Sequence, residues 1–152
     1  MFATRADLLA RMNARRLAQL AVPADYEMPD DEQALRAAIE AGDPAAAPGF
    51  EETLRAALET LDKALSDATA LLVSYGIPAE VRTQLLARLC CTVAIYYLYD
   101  AERMTDDVRR AYEAVLKLLD RWRAGELPGL VPSAPEELGG GAEIISGRGR
   151  YR

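Results

Sequence analysis

The chain has 152 residues and a formal net charge of −6, with half of its residues hydrophobic, two cysteines and no histidine. That length is one domain's worth and buries about two-thirds of the surface its unfolded form exposes, so a core forms without disulfides as staples. The missing histidine removes the commonest zinc ligand and the Glu-x-x-His motif of di-iron bundles, while the acidic balance argues against non-specific binding to nucleic acid.

Ala and Leu dominate the apolar residues, a mixture that favours helix over strand, and the expected fold class is all-α. The opening run from Met1 to Asp7 meets charge at once and leaves no apolar signal region. No apolar run approaches a membrane span, so the protein is expected to be made and kept in the cytosol.

Thr4 followed by Asp7 has the form of an N-cap with an acidic third position, opening a helix that carries Leu8, Leu9 and Met12. Asn13 interrupts it, a further turn or two carries Leu17 and Leu20 up to Pro23, and 22–29 reads as an acidic loop with two prolines. Asp30 or Asp31 caps a short helix over 31–41, which Gly42-Asp43-Pro44 ends, and 45–49 is an Ala/Pro linker. The stretch 32–40 is echoed by 51–59, but two copies are too few for a solenoid.

From 51 to about 74, Leu54, Leu58, Leu61, Leu65, Ala68, Leu72 and Tyr75 recur at alternating spacings of four and three, a seam of 3.5-residue period. The spacing predicts a helix on the order of 36 Å long that packs along a partner at a shallow angle. That partner can be another helix of the chain or a second subunit, so Leu54, Leu58, Leu61 and Leu65 are candidates for both core and subunit interface.

Gly76-Ile77-Pro78 closes this helix and starts the next, which runs from 79 to 99. Leu85, Leu86, Leu89, Val93, Ile95 and Leu98 lie around it beside Cys90 and Cys91, and its one clear polar stripe, Gln84, Arg88 and Thr92, runs on into Tyr96 and Tyr99. A helix so nearly apolar all round is central, and neighbouring subunits are expected to share in covering it, with Tyr96 and Tyr99 at the edge as interface candidates. Thr105, with Asp106 and Asp107 in the first turn, begins the last long helix, whose buried face is Val108, Tyr112, Val115, Leu119 and Trp122 and whose stop is Gly125.

After Leu127 the character changes, with prolines at 128, 132 and 135 and then three glycines at 139–141. The expected division is a helical domain over 1–127 and an extended, Gly-rich tail over 128–152. From residue 140 on there are three arginines and one glutamate, a net +2 that leaves −8 on the rest of the chain. This tail can be a plain disordered end. It can also order in an assembly, through the β-prone piece Glu143-Ile144-Ile145-Ser146 and the arginines at 148, 150 and 152.

No enzyme chemistry is expected. Asp106 and Asp107 are helix neighbours that point apart, the cysteines lack an activating base, and the triple glycine is not set between a strand and a helix as a phosphate loop requires. No catalytic residue, cofactor or metal is therefore expected.

Four co-linear pieces carry a resemblance: FATRADLLARMNARRLAQLA at the start, then ALSDATALLVSYGIPAEV, LCCTVAIYYLYD and VRRAYEAVLKLLDRWRAGELPGL. Together they resemble the head-tail connector (neck adaptor) proteins of Mu-like tailed bacteriophages. The resemblance implies a structural subunit of the virion neck, made in the host cytoplasm. It would form a homo-oligomeric ring of about twelve copies by heterologous contacts. That ring would sit between the portal protein and a downstream neck or tail-completion protein, with DNA passing through without tight binding. On this view Ile144, Ile145, Arg148, Arg150, Tyr151 and Arg152 form a portal-binding tail. The alternative is a small cytosolic helical adaptor or regulator that binds a partner helix along the seam from Leu54 to Tyr75.

Overall fold

Helix α1 (Arg5–Arg11) begins at a reciprocal capping box: the Thr4 hydroxyl accepts from the Asp7 N–H, and the Asp7 carboxylate accepts from the Thr4 N–H at 2.8 Å. Asn13 breaks the chain and restarts it, its side-chain oxygen accepting from the Arg16 N–H at 2.8 Å to open α2 (Ala14–Ala21). The computed structural model describes residues 1–131, and these hold six α-helices and no strand.

Helix α3 (Ala34–Ala41) starts later than the expected 31, because Asp31 accepts from the Gln33 N–H at 2.8 Å and holds a turn ahead of the helix. It ends at Gly42 in the left-handed region. The linker is a short 3-10 turn, Pro44–Ala46, packed on α3 and on α4 (Glu51–Ser74).

The long seam of α4 is the spine of the core. Leu54, Leu58, Leu61, Leu65 and Leu72 are all at most 5% exposed, and Ala57, Ala64 and Ala68 between them let neighbouring helices come close. Helix α5 (Gln84–Leu98) turns back along α4, the most extensive pairing in the fold, and α6 (Asp106–Arg123) lies in turn on α5. The small helices close the other side, α2 against α4 and α3, and α1 against α5 and α3. Each fully buried leucine contributes roughly 1.5–3 kcal/mol relative to exposure, so this single cluster supplies most of the drive to fold.

Two further boundaries differ from expectation. Helix α5 begins at Gln84 rather than near 79, since Thr83 caps it by accepting from the Leu86 N–H at 3.0 Å, while Pro78 sits in a turn that the Val81 N–H closes onto its carbonyl. The helical body also runs past 127. Pro128 opens a 3-10 turn, Pro128–Leu130, in which Leu130 is buried while Leu127 and Val131 pack against the core. The candidate tail residues Ile144, Ile145, Arg148, Arg150, Tyr151 and Arg152 lie outside the described residues.

Gly76 marks the join of α4 and α6. Its φ is +96°, and a Cβ there would stand 3.2 Å from Cζ3 of Trp122. Gly76→Ala is therefore expected to cost about 1–3 kcal/mol in thermal unfolding, from left-handed strain and the tight ring contact together. Gly42→Ala, where φ is +66° and nothing lies within 4 Å, isolates the strain alone. Equal losses at the two glycines would show that the Trp122 contact contributes nothing.

Candidate functional site

The described residues include no group of three or more His, Cys, Asp or Glu side chains placed to hold a metal ion, and no helix long and apolar enough to cross a membrane. Both thiols are fully buried. Burial pushes the Cys90 thiol up, against the Thr69 hydroxyl contact at 3.7 Å, and burial with the adjacent Cys90 pushes Cys91 up to about 12. At neutral pH each is a protonated thiol, Cys90 packed against α4 at Thr69 and Leu65 and Cys91 turned toward Asp7 and Arg11 of α1.

The seam candidates Leu54, Leu58, Leu61 and Leu65 are brought together, but inside one chain. At 0%, 5%, 0% and 1% exposure they present no surface to a second subunit in this conformation. Their 3.5-residue period records the long shallow packing of α4 against its own neighbours.

The tyrosines are divided by what α6 and α2 bring to them. Tyr96 stacks on Tyr112 of α6 with ring centroids 3.8 Å apart and planes 5° from parallel. Tyr99 lies beneath the Arg16 guanidinium, 5.3 Å from its ring centroid, and its hydroxyl accepts from Arg16 Nε at 3.4 Å. Tyr97 remains exposed at 38%, edge-on to Tyr96 at 6.1 Å. Loss of solvation, then the neighbouring Tyr112, pushes its hydroxyl up to about 12, so it stays a neutral donor. Of this aromatic group Tyr97 is the most exposed, while Tyr96, Tyr99 and Tyr112 are half-buried.

Sequence reasoning missed a second surface. Between α2, α3 and the segment that joins them lies a groove of about 350 Å³. Val22, Met28 and Pro29 form its apolar part, and Asp30, Asp31 and Glu32 line its rim. The segment is pinned over α4 by the buried Thr53, whose hydroxyl donates to the Glu27 carbonyl at 3.2 Å. Glu32 lies 3.7 Å from Arg15, whereas Asp30 and Asp31 enter no ion pair among the described residues. The available signal was the exposed Met28 and Tyr26 set among acids in a loop that needs neither for its turns.

The profile of the family described as Bacteriophage Mu, Gp36 matches residues 2–144, nearly the whole chain. The chain belongs to this Mu Gp36 family. No curated protein and no solved structure gives a significant match. The Gp36 match takes in every described helix from α1 to α6, so the family shares the whole helical body rather than one motif. It makes the chain a Mu-like phage protein with an all-α body.

Tyr97→Ala is expected to cost only about 1 kcal/mol of fold stability, because Tyr96 and Tyr112 keep their stack without it, and to weaken self-association by a larger factor. Sedimentation at several concentrations, set beside urea unfolding, separates the two. Unchanged association would remove Tyr97 from the interface.

Proposed function

We propose that this Gp36-family chain is a non-enzymatic structural subunit of the virion neck, a head-tail connector that forms a ring joining the portal to the next neck or tail-completion protein. The observation that carries this reading is the family match over residues 2–144. The helical body supports it. A ring needs heterologous contacts, in which one face of a subunit meets a different face of the next, and the groove between α2 and α3 and the Tyr97 edge of α5 and α6 are different faces. The net −8 carried ahead of residue 140 suits a wall past which duplex slides without adhering.

An adaptor that clasps a partner helix through the seam is the weaker reading, because that seam is buried by the chain's own helices. Negative-stain microscopy of the purified chain, alone and with the portal of its phage, tests the proposal. Annular particles, free or capping the portal, are expected. A chain that stays monomeric at every concentration and leaves the portal bare would refute it.

A further inference from the structure

The described fold is two-ended. Helix α6 delivers the chain to the end of α4 marked by Gly76, where Trp122 lies against that glycine and Arg123 sits 4.3 Å above the Tyr75 ring centroid. The groove opens toward the opposite end, where Leu54 near the start of α4 lies among its lining. From Leu54 to Gly76 is about 30 Å along a helix axis. The last eleven residues hold two isoleucines and three arginines against one glutamate, and the groove sets Val22, Met28 and Pro29 beside three carboxylates and Arg15.

We propose that residues 142–152 of one copy seat in the groove between α2 and α3 of the next copy, with Ile144 or Ile145 over Val22 and Met28 and the arginines at 148, 150 and 152 against Asp30, Asp31 and Glu32. The pairing rests on the ring reading above and names one of its heterologous contacts. Charge sign is the first argument, because residues 140–152 carry a net +2 and the groove's Asp30 and Asp31 enter no ion pair among the described residues. Hydrophobic match is the second. Met28 is 41% exposed over a groove whose base is core leucine, so an isoleucine laid there loses apolar surface without displacing a polar partner.

Geometry favours the next copy over the same one. Ile144 lies thirteen positions beyond Val131, a reach of about 45 Å only when fully extended. Return to the chain's own groove would take about 30 Å of that, two-thirds of the full reach, back along α4. A head-to-tail neighbour brings its groove to the end the stretch leaves from. Such a contact is heterologous and closes into a ring when the rotation between copies permits.

The test uses full-length chains carrying Met28→Cys or Ser146→Cys, mixed and mildly oxidised, with the native thiols buried out of reach. The mixture is expected to give a disulfide between the two different chains, identified by peptide mass. Each variant mixed with wild type should give none. Arg148→Glu, Arg150→Glu and Arg152→Glu together are expected to cut the cross-link by roughly tenfold, and Asp30→Lys, Asp31→Lys and Glu32→Lys on the receiving chain to restore it. No cross-link, a cross-link indifferent to charge reversal, or one found only inside a chain carrying both cysteines would overturn the proposal. Its fate is separable from that of the ring. Annular particles without the cross-link keep the ring and discard this contact, and charge-dependent cross-linked open strings keep the contact and discard the ring.

Discussion

Leu61→Ala is expected to lower the unfolding free energy by roughly 2–5 kcal/mol in urea titration, the range for a leucine removed from a closed core. Leu61 is wholly buried midway along α4, while its chain neighbour Asp62 faces outward and takes a bidentate contact from Arg5 at 2.9 and 2.6 Å. The boundary between core and solvent thus passes between two consecutive residues. Leu61→Asp is expected not to fold, since an unpaired carboxylate there forfeits its hydration with no cation to replace it. These outcomes separate the two roles that the seam's period allows. Were the seam a subunit interface, Leu61→Ala would leave a monomer of normal stability that assembles poorly. A loss under about 1 kcal/mol together with dissociated oligomers would transfer the seam from the core to the interface.

Local chemistry was readable from the residues, and non-local pairing was not. Thr4 with Asp7, Thr105, Gly42 and Gly125 each act within a few residues of themselves, so caps and stops fall where the sequence puts them. The start of α5 was misplaced because two start signals, Pro78 and Thr83, compete within five residues. Thr83 prevails once Gly76 has turned left-handed and Ile77 is locked into the core at 1% exposure.

Periodicity showed that the face of α4 from Leu54 to Leu72 is buried, but carries no information on which helices bury it. The tyrosines show the same limit. Tyr96 and Tyr99 were the expected interface pair, and Tyr112 and Arg16, distant in sequence, pack on them and leave them half-buried, with Tyr97 the most exposed of the three. The groove between α2 and α3 depends on a contact from Thr53 to Glu27 across twenty-six residues, which no local pattern announces.

Ending the chain after residue 131 is expected to leave the helical body folded, with stability changed by no more than about 0.5 kcal/mol, and to abolish the joining of heads to tails. The retained piece keeps every helix of the described residues, and it keeps Leu127 and the buried Leu130, which close the core beneath the last turn. What it loses includes Ile144 and Ile145 and a last eleven residues with three arginines against one glutamate. Ordering eleven residues costs on the order of 10 kcal/mol of backbone entropy, so a single docked stretch binds modestly. A closed ring offsets this, because each docked copy raises the effective concentration of the next. Loss of all the stretches should therefore act as a collapse of assembly rather than a graded decline. Arg148→Gln, Arg150→Gln and Arg152→Gln together keep the isoleucines and remove only charge. That variant is expected to assemble partially at low salt and to fail as salt screens what attraction remains. Complementation of a phage lacking this protein reads both outcomes as infectious yield. If the chain ending at 131 restores that yield, the stretch beyond it is dispensable for infectious particles, and any contacts this protein makes in them lie on the helical body.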